Sequence, residues 1–188
     1  EMLDFATATD LYYRYPSWPS DAHLAQARAM MELGAYGEAR AALDRANVVD
    51  SQIDRQRLAY LEGAFVAGGA DSIWSLVARA DSGDRDAEEL VAAQAERGDL
   101  PDDVRLYANR ILLRHFAAGR DDRELQKKSV ALSVEVKRLG TRLAKVAKLA
   151  LDAGNARIAA LALNSIERLD EKPEGFEEMM TRLGQLGS

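Results

Sequence analysis

The two histidines, His23 and His115, are the residues best suited to proton transfer, because histidine ordinarily gains and loses a proton near neutral pH. Neither has a second histidine three or four residues away, the spacing that places two metal ligands on one side of a helix. His23 falls in the first turn of a predicted helix, and His115 lies near the end of another. We interpret both as structural or surface residues.

Other residue patterns that could support chemistry are incomplete. The acidic residues from Asp84 to Glu89 lack the spacing and the central glycine of an EF-hand calcium loop. No glycine follows a strand in the way that a phosphate-binding loop requires. The absence of cysteine excludes disulfides, thiolate chemistry and cysteine-based zinc sites. We therefore expect no catalytic residue, no cofactor and no metal, and a protein that is not an enzyme.

Charge is distributed unevenly along the chain. The net charge of −6 argues against a protein that coats nucleic acid. Between Val104 and Leu151, however, there are 12 lysines and arginines and 4 acidic residues, a local net charge of +8, which leaves −14 for the rest. The average charge therefore conceals a basic segment, 104–151, within an acidic chain.

The composition favours helices. The chain is 47% hydrophobic and 30% charged, as globular chains are, and it has only 4 prolines. No apolar run approaches the roughly 18 residues of a membrane span, and no signal peptide is visible. Because residues 1–15 already read as a helix, we interpret the sequence as a fragment of a longer protein.

The clearest local pattern is a helix hairpin between Ser20 and Ser51. Ser20 or Asp21 can cap a first helix that runs to about Leu33. Gly34 can adopt the left-handed conformation that ends helices. A second helix, predicted over 37–47, has its small and apolar residues on one face at helical spacing.

This hairpin resembles a tetratricopeptide (TPR) repeat, whose pattern combines small residues at the helix contact with a glycine and a tyrosine at the turn. The matching residues are Ala27, Gly34, Tyr36, Ala39, Leu43 and Ala46. The resemblance implies an all-α, right-handed α-solenoid of antiparallel helix hairpins. It also implies a non-catalytic scaffold or adaptor that binds a protein or peptide.

The repeat period of 34 residues extends the prediction along the chain. Turns are expected at Gly68, Gly119 and Gly154, with the TPR-like residues best preserved around Gly154. The chain is then predicted to form one domain over 1–188 with about 10–11 helices. Its repeat units would be 20–50, 51–81, 102–139 and 141–169. An extra helix, 84–98, and a capping helix, 174–186, complete the domain.

The resemblance also implies a concave, partly basic groove lined by the first helix of each hairpin. Lysine, arginine and asparagine in such a groove can hold the carboxylates of a peptide through charge-assisted hydrogen bonds. The partner is therefore predicted to be a protein or peptide, and an acidic one is a candidate. The residues expected to contact it are Arg28, Met31, Asn109, Arg110, Leu113, Lys145 and Lys148.

Three alternatives remain open. The basic face can be merely solvated, since many surface charges have no specific partner. Segment 104–151 can bind another anionic ligand or nucleic acid, although it has few aromatic residues for stacking. The chain can instead be a structural or self-associating segment of a larger bacterial envelope or motility assembly, docking through its predicted apolar end helices, 1–15 and 174–186. The sequence from Leu11 to Pro16 is similar to bacterial cell-envelope TPR proteins. This similarity slightly favours the periplasm over the cytoplasm, and the compartment is otherwise unknown.

Overall fold

A computed structural model describes residues 20–64, 66, 72–119 and 122–186. The predicted helix 1–15 and the predicted turn at Gly68 lie outside these ranges. The described residues form nine α-helices and no strand, which confirms the all-α class. The helices are α1 (Ser20–Glu32), α2 (Tyr36–Leu43), α3 (Gln52–Leu61), α4 (Ile73–Asp81), α5 (Arg85–Arg97), α6 (Asp102–Gly119), α7 (Asp122–Asp152), α8 (Ala156–Glu167) and α9 (Phe176–Leu186).

The chain divides into two compact units. Unit 1 comprises residues 1–62 and 137–188, and unit 2 comprises residues 63–136. Unit 1 therefore contains α1, α2, α3, the second half of α7, α8 and α9. Unit 2 contains α4, α5, α6 and the first half of α7. The second predicted hairpin is divided, because α3 belongs to unit 1 and α4 to unit 2.

Two hairpins of unit 1 turn in the same way, as the sequence predicted. Gly34 and Gly154 have φ values of +71° and +68°. The next residues, Ala35 and Asn155, donate backbone hydrogen bonds of 2.8 and 2.7 Å to carbonyls five residues earlier. This geometry closes the helix end and explains why glycine stands at each turn. The Ser20 hydroxyl accepts a hydrogen bond from the backbone N–H of Asn47 at 2.8 Å.

The small residues of the first hairpin are fully buried. Ala27 in α1 and Ala39 in α2 both have 0% exposure and belong to the core of unit 1. Because neither side chain extends beyond a methyl group, the two helices can approach closely.

Replacing Ala39 by leucine is expected to lower the free energy of unfolding by roughly 1–3 kcal/mol, because three extra carbons have no space in a packed core. Ala41→Leu is the matched control, since Ala41 is exposed on the same helix. Chemical denaturation of the two variants provides the comparison. If Ala39→Leu is as stable as the control, Ala39 does not lie at a close helix contact.

The first and last hairpins of the chain pack directly on each other within unit 1. The Ser165 hydroxyl of α8 donates a hydrogen bond to the Leu33 carbonyl at 3.0 Å. Arg157 at the start of α8 forms an ion pair with Glu38 of α2. A stack in strict chain order would place other hairpins between these two, so their contact was not foreseen from the sequence.

The predicted capping helix, 174–186, is observed as α9. Its residues Phe176 and Met179 are buried in the core of unit 1. The Arg182 side chain also forms an ion pair with Asp152 at the end of α7, with 2.7 Å between nitrogen and oxygen.

Helix α7 corrects the predicted boundary between units 102–139 and 141–169. It runs without interruption from Asp122 to Asp152, through the predicted break at Gly140. Gly140 is buried within the helix and does not form a turn, and a Cβ added there would lie 3.4 Å from Leu169 Cδ1, an ordinary contact distance. Gly119, predicted to be a turn, is the last residue of α6.

Trp74 lies at the centre of unit 2. Its side chain is fully buried, and its ring meets Tyr107 of α6 edge to face, with 5.6 Å between centroids. Helices α4 and α5 form the hairpin of this unit, with the turn at Gly83, whose φ is +95°. The helix predicted as an extra element, 84–98, thus pairs with α4.

Asp84 caps the N-terminus of α5. Its Oδ1 accepts the Ala87 backbone N–H at 3.1 Å, and its Oδ2 accepts a hydrogen bond from Arg79 Nε at 2.8 Å. The backbone hydrogen bond from Ala87, followed by that from Arg79, lowers the pKa of Asp84 below its ordinary value of 3.8.

A lowered pKa means that ionised Asp84 stabilises the fold above its unfolded-state pKa, and that this stability is lost as the pH falls through the folded-state value. Asp84→Asn keeps a capping oxygen but removes the titration. Between about pH 5 and pH 2, unit 2 of the unaltered chain should therefore lose more stability than the variant. Denaturation curves across this range, followed by circular dichroism, test the difference. Parallel losses in both proteins would contradict it.

Candidate partner-binding surface

The residues predicted to contact a partner fall into two groups. Those of unit 1 are Arg28, Met31, Lys145 and Lys148, and those of unit 2 are Asn109, Arg110 and Leu113. Each group is therefore described within its own unit.

Arg28 is engaged within the protein. Its Nε donates hydrogen bonds of 3.0 Å to both carboxylate oxygens of Asp54, and its Nη2 lies 2.9 Å from Asp54 Oδ2. The Asp54 side chain is only 4% exposed, so the buried carboxylate needs this cation for compensation. We conclude that Arg28 ties α1 to α3, although its own side chain reaches the surface.

Met31 is part of the core and not of a surface. It is 3% exposed and packs with the buried residues of unit 1. Its position on the repeat pattern placed it in a groove, but the side of α1 that carries it is covered in the folded unit. The burial of Met31 disfavours the prediction that this side chain contacts a partner.

Lys145 and Lys148 are exposed, three residues apart on α7. Residues at this spacing are neighbours on a helix surface, so the two ammonium groups share one side of α7. Among the described residues, neither lysine has an ion-pair or hydrogen-bond partner for its side chain. The positive charge of this pair is not neutralised within the described protein.

Neighbouring cations of α7 have acidic partners. Arg142 Nη2 lies 3.3 Å from Glu32 Oε1 of α1, and Lys137 Nζ lies 3.3 Å from Glu171 Oε2. No exposed acidic residue of α7 lies between these cations and Asp152 at the helix end. Lys145 and Lys148 are thus a local concentration of available positive charge.

The unit 2 residues share one side of α6. Asn109 and Leu113 are half-buried and one turn apart, while Arg110 is exposed and has no ion-pair partner among the described residues. The residue one turn later, Arg114, pairs with Asp81 of α4. Arg110 is therefore an isolated available cation, unlike the lysine pair of unit 1.

The histidines have structural surroundings. His115 Nδ1 lies 2.9 Å from Glu88 Oε2, which connects α6 to α5, and its ring meets Phe116 edge to face. His23 is 2% exposed. The contacts of His115 are thus with a carboxylate and an aromatic ring, and not with a serine or threonine hydroxyl.

The described residues contain no group of three or more histidine, aspartate or glutamate side chains arranged to hold a metal ion. Among the described helices, none combines the length and the apolar character needed to cross a membrane.

Comparisons with known proteins give no assignment: no family model, no curated protein and no solved structure matches this chain.

Proposed function

We propose that this protein is a non-catalytic interaction scaffold that binds an acidic peptide, or an acidic segment of a protein, through Lys145 and Lys148 of α7. One observation carries the proposal: two adjacent lysines are exposed without an ion-pair partner among the described residues, while neighbouring cations are paired. An acidic partner would supply the missing carboxylates through charge-assisted hydrogen bonds.

The scaffold is proposed to be TPR-like, with hairpins stacked in a right-handed sense. Support comes from the matching turns at Gly34 and Gly154 and from the fully buried alanines Ala27, Ala39 and Ala147. Because α1 and the second half of α7 are the first helices of their hairpins, the lysine pair stands where the repeat pattern places ligand contacts.

Nucleic acid is the less favoured ligand. Affinity for a phosphate backbone grows with the number of cations that contact it, and the proposed site on α7 contains two adjacent lysines. The net charge of −6 also repels a long polyanion. A short acidic peptide avoids both difficulties, because it needs only two or three carboxylates.

A selection from a random-peptide library tests the proposal and does not require the natural partner. The protein should enrich peptides that carry clustered aspartate or glutamate, and the same selection with Lys145→Glu/Lys148→Glu should not. Recovery of peptides with no acidic preference, or of the same acidic peptides by both proteins, would contradict it.

A further inference from the structure

The first half of α7 presents an exposed basic and apolar face. Arg123, Lys127, Val130 and Val134 follow one another at intervals of four, three and four residues, which keeps them on one side of the helix. Val130 is 62% exposed and Val134 is 42% exposed. Lys127 Nζ lies 3.4 Å from Glu124 Oε1 at the surface. Such an exposed ion pair contributes little free energy, so Lys127 can still bind a partner.

Helix α5 of the same unit presents an exposed face with the opposite charge. Asp86 and Glu89 have no ion-pair partner among the described residues, and they precede Leu90, which is 52% exposed, and then Ala93. Arg97, later on the same helix, is paired with Asp99, with 2.9 Å between nitrogen and oxygen.

These two faces hold every large hydrophobic residue that is exposed in the described part of unit 2, namely Leu90, Val130 and Val134. On both helices the charged residues come first and the apolar residues follow. Two such helices lying parallel would therefore match acid with base and apolar with apolar. Exposed apolar residues beside charges are characteristic of interaction surfaces.

We propose that the α5 face of one molecule docks on the α7 face of a second copy of the same chain. The partner is a second copy because every molecule carries both complementary faces, while both remain exposed in unit 2. The contact is heterologous, joining two different surfaces, so each bound molecule leaves one face of each kind available for another. A few helical turns bury little surface, and the association is correspondingly weak.

Charge reversal and its compensation test this contact. Arg123→Glu/Lys127→Glu places acid against acid, and Asp86→Lys/Glu89→Lys places base against base. Each pair of substitutions should weaken self-association about tenfold, because exposed ion pairs contribute modestly and are replaced here by repulsion between like charges. The chain that carries all four substitutions should associate again, because its faces are once more complementary.

Sedimentation equilibrium at protein concentrations on the order of 100 μM, where weak interfaces associate, measures the average mass of each variant. Arg168→Glu/Lys172→Glu is the control for Arg123→Glu/Lys127→Glu, since it lowers the net charge by the same amount at exposed positions of unit 1. Circular dichroism verifies that all variants fold. A monomeric unaltered chain, unchanged association of the double variants, or failure of the four substitutions to restore it would overturn the proposal.

Discussion

Replacing Trp74 by alanine is expected to destabilise unit 2 by about 3–5 kcal/mol, a larger loss than we expect from Ala39→Leu in unit 1. The Trp74 side chain is fully buried and meets the Tyr107 ring edge to face. Its removal loses apolar burial and the aromatic contact, and leaves a cavity that the surrounding helices fill only in part. Since whole domains are stable by about 5–15 kcal/mol, a loss of this size leaves unit 2 marginal.

Hydrogen exchange shows where the loss occurs. Amides of α4, α5 and α6 should exchange faster in Trp74→Ala, while amides of α1 and α2 in unit 1 keep more of their protection. Leu90→Ala is the control, because Leu90 belongs to the same unit but is 52% exposed. Equal effects of the two substitutions would show that Trp74 does not hold the core of unit 2 together.

Reversing the charge of Lys145 and Lys148 is expected to have the largest effect on binding. Each lysine would lose a charge-assisted hydrogen bond and present a repelling carboxylate to an acidic peptide. Because both positions are exposed, solvent screening reduces the effect, and we expect about a tenfold to 100-fold weaker affinity. Lys145→Arg/Lys148→Arg should retain most of the affinity, since the charge remains.

Fluorescence anisotropy with a labelled acidic peptide from the library selection measures these affinities. The control is again Arg168→Glu/Lys172→Glu, which changes the net charge of unit 1 equally at other exposed positions. If the control weakens binding as much as the lysine reversal does, then overall charge and not this surface governs affinity.

Features set by neighbouring residues were predictable from the sequence. The turns at Gly34 and Gly154 follow from glycine at a helix end, where the backbone adopts a positive φ. Helices α5 and α9 were also predicted, near 84–98 and 174–186, from local capping and apolar patterns. In each case the residues that determine the structure lie within a few positions of one another.

Features set by distant contacts were not predictable. The sequence indicates a boundary between two units at Gly140, but the structure places this glycine inside α7. Its position next to Leu169 depends on how the chain folds back after α8. The pairing of Arg28 with Asp54 joins residues 26 positions apart. The contact between Ser165 and the Leu33 carbonyl spans 132 positions, and it brings together two hairpins that a chain-order stack would separate.

The candidate site shows the same division. Lys145 and Lys148 are exposed, in keeping with their hydrophilic helix side. Met31 is buried instead. Whether a large apolar residue at such a repeat position is exposed depends on which helix packs against it. Arg28 was likewise predicted as a partner contact but pairs with Asp54, so distant contacts decide the role of charged and apolar residues alike.

Nuclear magnetic resonance provides the most direct test of the central claim that the lysine pair of α7 binds an acidic segment. The selected acidic peptide would be titrated into the labelled protein while backbone amide shifts are followed. We expect the largest shift changes to cluster around Thr141, Lys145 and Lys148, and to be absent with a peptide in which glutamine replaces the acidic residues. Changes concentrated elsewhere, or equal changes with the neutral peptide, would contradict the claim.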